Sequence, residues 1–151
     1  MEEIKLSKSI IGQDEIDAVV GVLKREYLGM GQEVQQLENT LSSFFERDVT
    51  CVNTGTAALH LALQAIGLKE GDEVLVQSLT YVSTFQAISA TGATPIACEV
   101  DSTSLTIDLV DASQKLTANT KAILPVHYGG NVGDLDALYK FAKKNKLRVI
   151  E

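Results

Sequence analysis

The chain has 151 residues, 45% hydrophobic and 22% charged, which is the profile of an ordinary soluble globular protein with length for one full core at roughly 150 residues per domain. Disordered, collagen-like and membrane classes are excluded, since no apolar run approaches the roughly 18 residues that span a bilayer. The net charge of −7 comes from 20 acidic and 13 basic residues, with the basic ones scattered except near Lys143, Lys144 and Lys146, which argues against nucleic acid as a partner.

The N-terminus, MEEIKLSKSI, is acidic where a signal peptide needs a cationic segment, so a cytoplasmic protein is expected. Two helices are predicted first, over about 13–26 and 33–46. In the second, Val34, Leu37, Leu41, Phe44 and Phe45 keep near-helical spacing, an amphipathic pattern. The segment YLGMGQ between them carries two glycines and reads as a turn.

From residue 49 short β-rich runs alternate with helical stretches. The runs are VTCV at 49–52, EVLV at 73–76, PIACEV at 95–100, AILPV at 122–126 and LRVI at 147–150. They are apolar throughout, as in strands covered on both faces. Helices are predicted at about 56–67, 82–91, 109–117 and 134–146. This βαβ alternation predicts an α/β fold with a mostly parallel sheet. The helix at 56–67 is apolar nearly all round, so it is expected to be buried on most sides. Cys51 and Cys98 stand alone in apolar runs with no CxxC and read as buried reduced thiols.

In open parallel sheets, ligands bind beyond the carboxyl ends of the strands. Four segments follow strands: NTGTA at 53–57, SLTYVST at 78–84, VDSTS at 100–104 and HYGGNVG at 127–133. The first places one glycine at a helix start, where unpaired backbone N–H groups and the positive end of the helix dipole favour a phosphate. The plainer reading is that Thr54 or Asn53 caps the helix. Tyr81 lies just past a strand, where an aromatic could stack on a flat ring or pack against neighbouring helices. His60 reads as a satisfied core histidine. His127 opens a glycine-rich turn, with function and structure about equally supported. Asp101, Asp134 and Asp136 fit turns and helix caps. Walker A, GxGxxG, GxSxG and HExxH signatures are absent.

Taken in order, LGMGQEVQQLE, NTGTAALHLAL, GDEVLVQSLTYVST, GATPIACEVD, TKAILPVHYGG and DLDALYKFAKKNKLRVIE resemble the N-terminal part of the DegT/StrS family of pyridoxal-phosphate sugar aminotransferases. The resemblance covers nearly the whole chain. It implies the large domain of type I aminotransferases, a three-layer α/β/α fold with a mainly parallel sheet that is incomplete at its C-terminal end. Residues 1–151 would be the N-terminal portion of that domain, with a helical segment at about 1–48. Gly55, Thr56 and Ala57 would hold the phosphate of pyridoxal 5′-phosphate, and Tyr81 would stack on its ring.

The resemblance further implies a homodimer that moves an amino group, typically from glutamate, onto a nucleotide-linked keto sugar. No metal is expected. In the family an Asp that pairs with the pyridine nitrogen follows VIE, and the Lys that carries the cofactor comes later. Neither falls within residues 1–151, so no catalytic residue is expected in this chain, and on its own it is expected not to transaminate. Two rival readings are a non-catalytic α/β binding domain and a nucleotide-binding oxidoreductase. The second needs an acidic ribose-binding residue after the second strand, where Gln77 and Ser78 stand instead.

Overall fold

The structure is a computed structural model that describes residues 8–151. The expectations for the N-terminal leader and for the start of the helical segment at about 1–48 fall in part on residues 1–7, outside the described residues. The chain divides into two compact units, one ending at Cys51 and one running from Val52 to Glu151. Among the described residues no helix is long and apolar enough to cross a membrane.

The first unit holds α1 (Gln13–Lys24) and α2 (Gln32–Phe45). The Gly12 N–H donates to Glu15 Oε2 at 2.7 Å, half of a capping box at the start of α1. The run at 49–52, expected as a strand, forms none. Its alternate amides are taken by α2 instead: Val49 N–H donates to Ser42 Oγ at 3.0 Å and Cys51 N–H to Glu38 Oε1 at 2.7 Å. A strand needs a neighbouring strand for those groups, and periodicity along the chain carries no information about whether one is there.

The second unit contains α3 (Gly55–Ala65), β1 (Glu73–Gln77), α4 (Ser83–Ala90), β2 (Thr94–Cys98), α5 (Leu109–Gln114), β3 (Thr120–Leu124), a 3₁₀ turn at Tyr128–Gly130, α6 (Leu135–Asn145) and β4 (Arg148–Val149). The four strands are all parallel, in the order β2-β1-β3-β4. Successive strand side chains point to opposite faces, and both faces are buried. Val74, Val76, Ala122 and Leu124 pack with Leu63 of α3 and with Ala87 and Ile88 of α4. Leu75, Cys98 and Ile123 pack with Ala112 of α5 and with Leu138 and Ala142 of α6. The result is the helix–sheet–helix layering that the apolar runs predict.

Besides the run at 49–52, three expectations change. Cys51, expected to be buried like Cys98, is only partly buried, because its run joins no sheet that would cover it. Helix α5 is shorter than the predicted 109–117, because Lys115 already closes it. Helix α3 is not buried on most sides: within it only Leu63 is fully buried, and Leu61 is half exposed. An all-apolar composition measures what a helix is able to bury, and in this chain α3 has only one covered face.

Strand β2 is an edge whose outer side is largely closed. Thr94 N–H and Cys98 C=O bond toward β1, so Pro95, Ala97 and Glu99 face outward. Pro95 has no N–H to offer. Lys115 Nζ donates to the Ala97 carbonyl at 2.8 Å, Glu99 N–H donates to Asp111 Oδ2 at 2.8 Å, and the Glu99 carbonyl accepts from Asp108 N–H at 2.9 Å. Blocked edges of this kind discourage pairing with other chains. Beneath them, burial first and then the Asp111 charge push the Cys98 thiol up to about 11.

Asp111 is held below the usual carboxylate range, first by its hydrogen bond from Lys115 and next by the Glu99 N–H. A depressed carboxylate contributes stability above its unfolded pKa of about 3.9 and loses it as pH falls through the folded value. Lys115→Met should therefore lower the urea midpoint most at neutral pH, with the gap from wild type narrowing below about pH 4. A gap that is constant or widening in acid would rule out this coupling.

Candidate functional site

The link from α3 to β1 spans only residues 66–72, so α3 runs back alongside the sheet and its first residues lie toward the carboxyl ends of the strands. Helix α4 begins soon after β1 ends and packs with α3. The amino termini of both helices therefore share the end of the sheet where ligands bind in this architecture.

At the start of α3 the plainer reading of Thr54 holds. Its Oγ1 accepts from Ala57 N–H at 3.0 Å, and the Thr54 carbonyl accepts from Ala58 N–H at 3.1 Å. Capping uses one of the helix's orphan donors. The amides of Gly55 and Thr56 donate to nothing among the described residues. Of the three loop residues, Ala57 thus has its amide engaged, while Gly55 and Thr56 keep theirs open, and all lie at or near the surface.

Gly55 has no structural need to be glycine. Its φ is not positive, and a Cβ built on it meets nothing within 4 Å. Gly133 is the opposite case: its φ is +62°, and a Cβ there would sit 2.7 Å from the Cγ2 and Oγ1 of Thr106. One glycine is dictated by the protein's own packing, and the other leaves room for something that approaches from outside.

Tyr81 is 77% exposed, so it does not pack into the helices, and its ring is presented to solvent ahead of α4. Its backbone is held more firmly. The Tyr81 carbonyl accepts from Thr84 N–H at 3.1 Å, and Thr80 Oγ1 lies 2.8 Å from Thr84 Oγ1.

The remaining loops are tied to one another. Asp101 Oδ1 accepts from the amides of Thr103 and Ser104, the turn role expected of it, and these bonds hold its carboxyl below the usual range. Asn131 Nδ2 donates to the Ser104 carbonyl. Asp134 caps α6 by accepting from Ala137 N–H at 2.9 Å. His127 Nε2 lies 3.2 Å from Glu151 Oε1, whose other oxygen accepts from Tyr139 OH at 2.6 Å. That bond raises the Tyr139 phenol above its ordinary value. His127 Nδ1 and His60 Nε2 are buried and have no partner among the described residues. His60, expected as a satisfied core histidine, is instead only half-buried, and its buried Nε2 is unsatisfied.

The cavity lined by Thr106, Ile107, Val126, His127, Asp134 and Leu138 has a volume of about 60 Å³. It is far too small for a ligand of drug size, which takes ~300–1,000 Å³. A more open hollow of about 320 Å³, lined by Tyr139, Ala142, Lys143, Leu147, Arg148 and Val149, includes none of the residues that follow β1 or open α3, and the candidate site is the open ground around Gly55, Thr56 and Tyr81. Sequence reasoning named those residues but assigned no such role to Gln77, Asn131 or Glu151, whose contacts reach segments far apart in the chain.

A protein-family profile described as the DegT/DnrJ/EryC1/StrS aminotransferase family matches residues 9–151. The chain is 41% identical over 146 residues to the spore coat polysaccharide biosynthesis protein SpsC of Bacillus subtilis, covering 96% of this chain and 38% of that protein. It is 35% identical over 151 residues to the dTDP-4-dehydro-2,3,6-trideoxy-D-glucose 4-aminotransferase of Saccharopolyspora spinosa, covering 98% of this chain and 39% of the other. The crystal structure of NtdA from Bacillus subtilis with bound cofactor PMP superposes with a TM-score of 0.86 at 32% identity, over 93% of this chain and 34% of that one. The chain thus spans about two fifths of the length of the curated relatives it matches.

Gly133→Ala should lower stability by about 1–2 kcal/mol for the left-handed backbone alone, and by more for the contact with Thr106, as read from urea unfolding. Unchanged stability would mean that the 127–133 loop is not packed on Thr106 as described.

Proposed function

The chain belongs to the DegT/DnrJ/EryC1/StrS aminotransferase family, and on that premise we propose that it forms the part of a sugar aminotransferase that grips pyridoxal phosphate. The observation that carries this reading is Gly55, a glycine that neither backbone conformation nor packing requires, beside two unengaged amides at a helix start. A phosphate there accepts from Gly55 and Thr56 N–H, gains from the helix dipole, and can take a further hydrogen bond from the Thr56 hydroxyl. Ala57, its amide engaged by Thr54, contributes a small side chain that leaves the approach clear.

Tyr81 offers an exposed aromatic face to a planar ring. The residues present therefore fit the cofactor in type: donors for its phosphate and a platform for its ring. When bound, pyridoxal phosphate supplies the electron-withdrawing ring on which amino-group chemistry depends. This chain's own groups bind it and set its orientation.

For the whole protein the proposal is transfer of an amino group, typically from glutamate, to a nucleotide-linked keto sugar, by a homodimer in the cytoplasm. The name of the Saccharopolyspora spinosa relative, a dTDP-linked dehydro-sugar 4-aminotransferase, supports the substrate class. PMP in the NtdA structure supports the cofactor.

Titration with inorganic phosphate, followed by amide NMR, should move Gly55 and Thr56 and leave Ala57 comparatively still. Gly55→Ala should fold with stability equal to wild type or up to about 1 kcal/mol higher, yet weaken phosphate and pyridoxal phosphate binding together. If none of these amides responds to either ligand, the non-catalytic domain becomes the better account.

A further inference from the structure

Gln77 is the last residue of β1, completely buried, and polar. Its Nε2 donates to the Leu79 carbonyl at 2.9 Å and to the Leu105 carbonyl at 3.0 Å, while its Oε1 is buried with no partner. The amide orientation is fixed by chemistry: a flip would set the oxygen against two carbonyls. An apolar side chain of the same size would fill this place without burying an orphan oxygen. The arrangement makes sense where the two donated bonds matter more than the oxygen left over.

Both acceptors lie in loops at the ligand end of the sheet. Leu79 is two residues before Tyr81. Leu105 has a positive φ of 56°, unusual for a side chain that is not glycine, and its N–H donates to the Asp101 carbonyl at 2.8 Å. Such a conformation persists only where the surroundings hold it, and Gln77 holds its carbonyl side. Because the Tyr81 ring is exposed and not fixed by packing, its position depends on the backbone of residues 78–82. We propose that Gln77 is a positioning residue that fixes the Tyr81 segment, against the loop carrying Leu105, for stacking on the cofactor ring.

This rests on Tyr81 as the ring platform, and the test separates the two ideas. Gln77→Met keeps the volume and removes both donors. Hydrogen exchange should speed up at amides 79–82 and 105–106 and stay unchanged at Gly55–Ala57, a result that requires no cofactor. Pyridoxal phosphate affinity should fall by a factor of about three to ten, as for loss of one or two ordinary hydrogen bonds, with inorganic phosphate affinity unchanged. In a Tyr81→Ala background, the same substitution should have no further effect on pyridoxal phosphate affinity.

Unchanged exchange at 79–82 would overturn the proposal. So would equal losses for both ligands, or losses that multiply in the double variant. If wild type binds pyridoxal phosphate no better than inorganic phosphate and Tyr81→Ala changes nothing, the ring-platform reading fails and the positioning role for stacking fails with it. Accelerated exchange at 79–82 would then mark Gln77 as a loop clamp only.

Discussion

Parallel pairing of β1 with both of its neighbours is the constraint on which the second unit depends. Parallel strands cannot be joined by a tight turn, so each return from one strand to the next crosses over a face of the sheet. In this chain α4, α5 and α6 make those crossings. They bury Val74 and Val76 on one face and Leu75 on the other, and all of these side chains are inaccessible to solvent. Every segment leaving the carboxyl end of a strand then emerges on one edge. The candidate site residues gather there because of topology.

That logic also explains which features the sequence reveals. Continuous apolar runs identify β1 to β4 because strands covered on both faces have no polar alternation to obscure them. Helix boundaries at Thr54 and Asp134 are legible because capping is local, a side chain bonding an amide three residues on. The run at 49–52 has the same apolar character but fails as a strand, since Ser42 and Glu38 take the amides that a neighbouring strand would use. Exposure of α3 is equally invisible to composition, which records apolar content and not what lies opposite it.

The candidate site was legible only in part for a related reason. Gly55, Thr56 and Tyr81 sit in short motifs whose geometry follows from neighbours in the chain. Gln77 does not: its meaning lies in a bond to Leu105, 28 residues away, and within its own strand it reads merely as a polar residue ending an apolar run. Glu151 is similar, since its contacts with His127 and Tyr139 join the segments after β3 and β4 to the middle of α6. Residues that act across loops leave little local periodicity to detect, however fully they are buried.

A binding edge has to reconcile two demands. Groups proposed to meet a ligand, here Gly55, Thr56 and Tyr81, must stay exposed and unpaired, yet they must not wander, because a site placed loosely by even about 1 Å loses much of its effect. The chain separates these demands spatially. Rigidity is placed in neighbouring residues: at the surface in Thr54 at the helix start and Asn131 across to Ser104, and in the interior in Thr84 behind Tyr81 and Gln77 beneath two loops. Exposed groups on a fixed backbone keep their donors and faces available while limiting where they can go. A buried glutamine with an orphaned oxygen is costly to the fold, and it becomes intelligible when the stability lost there is weighed against precision gained at the surface it supports.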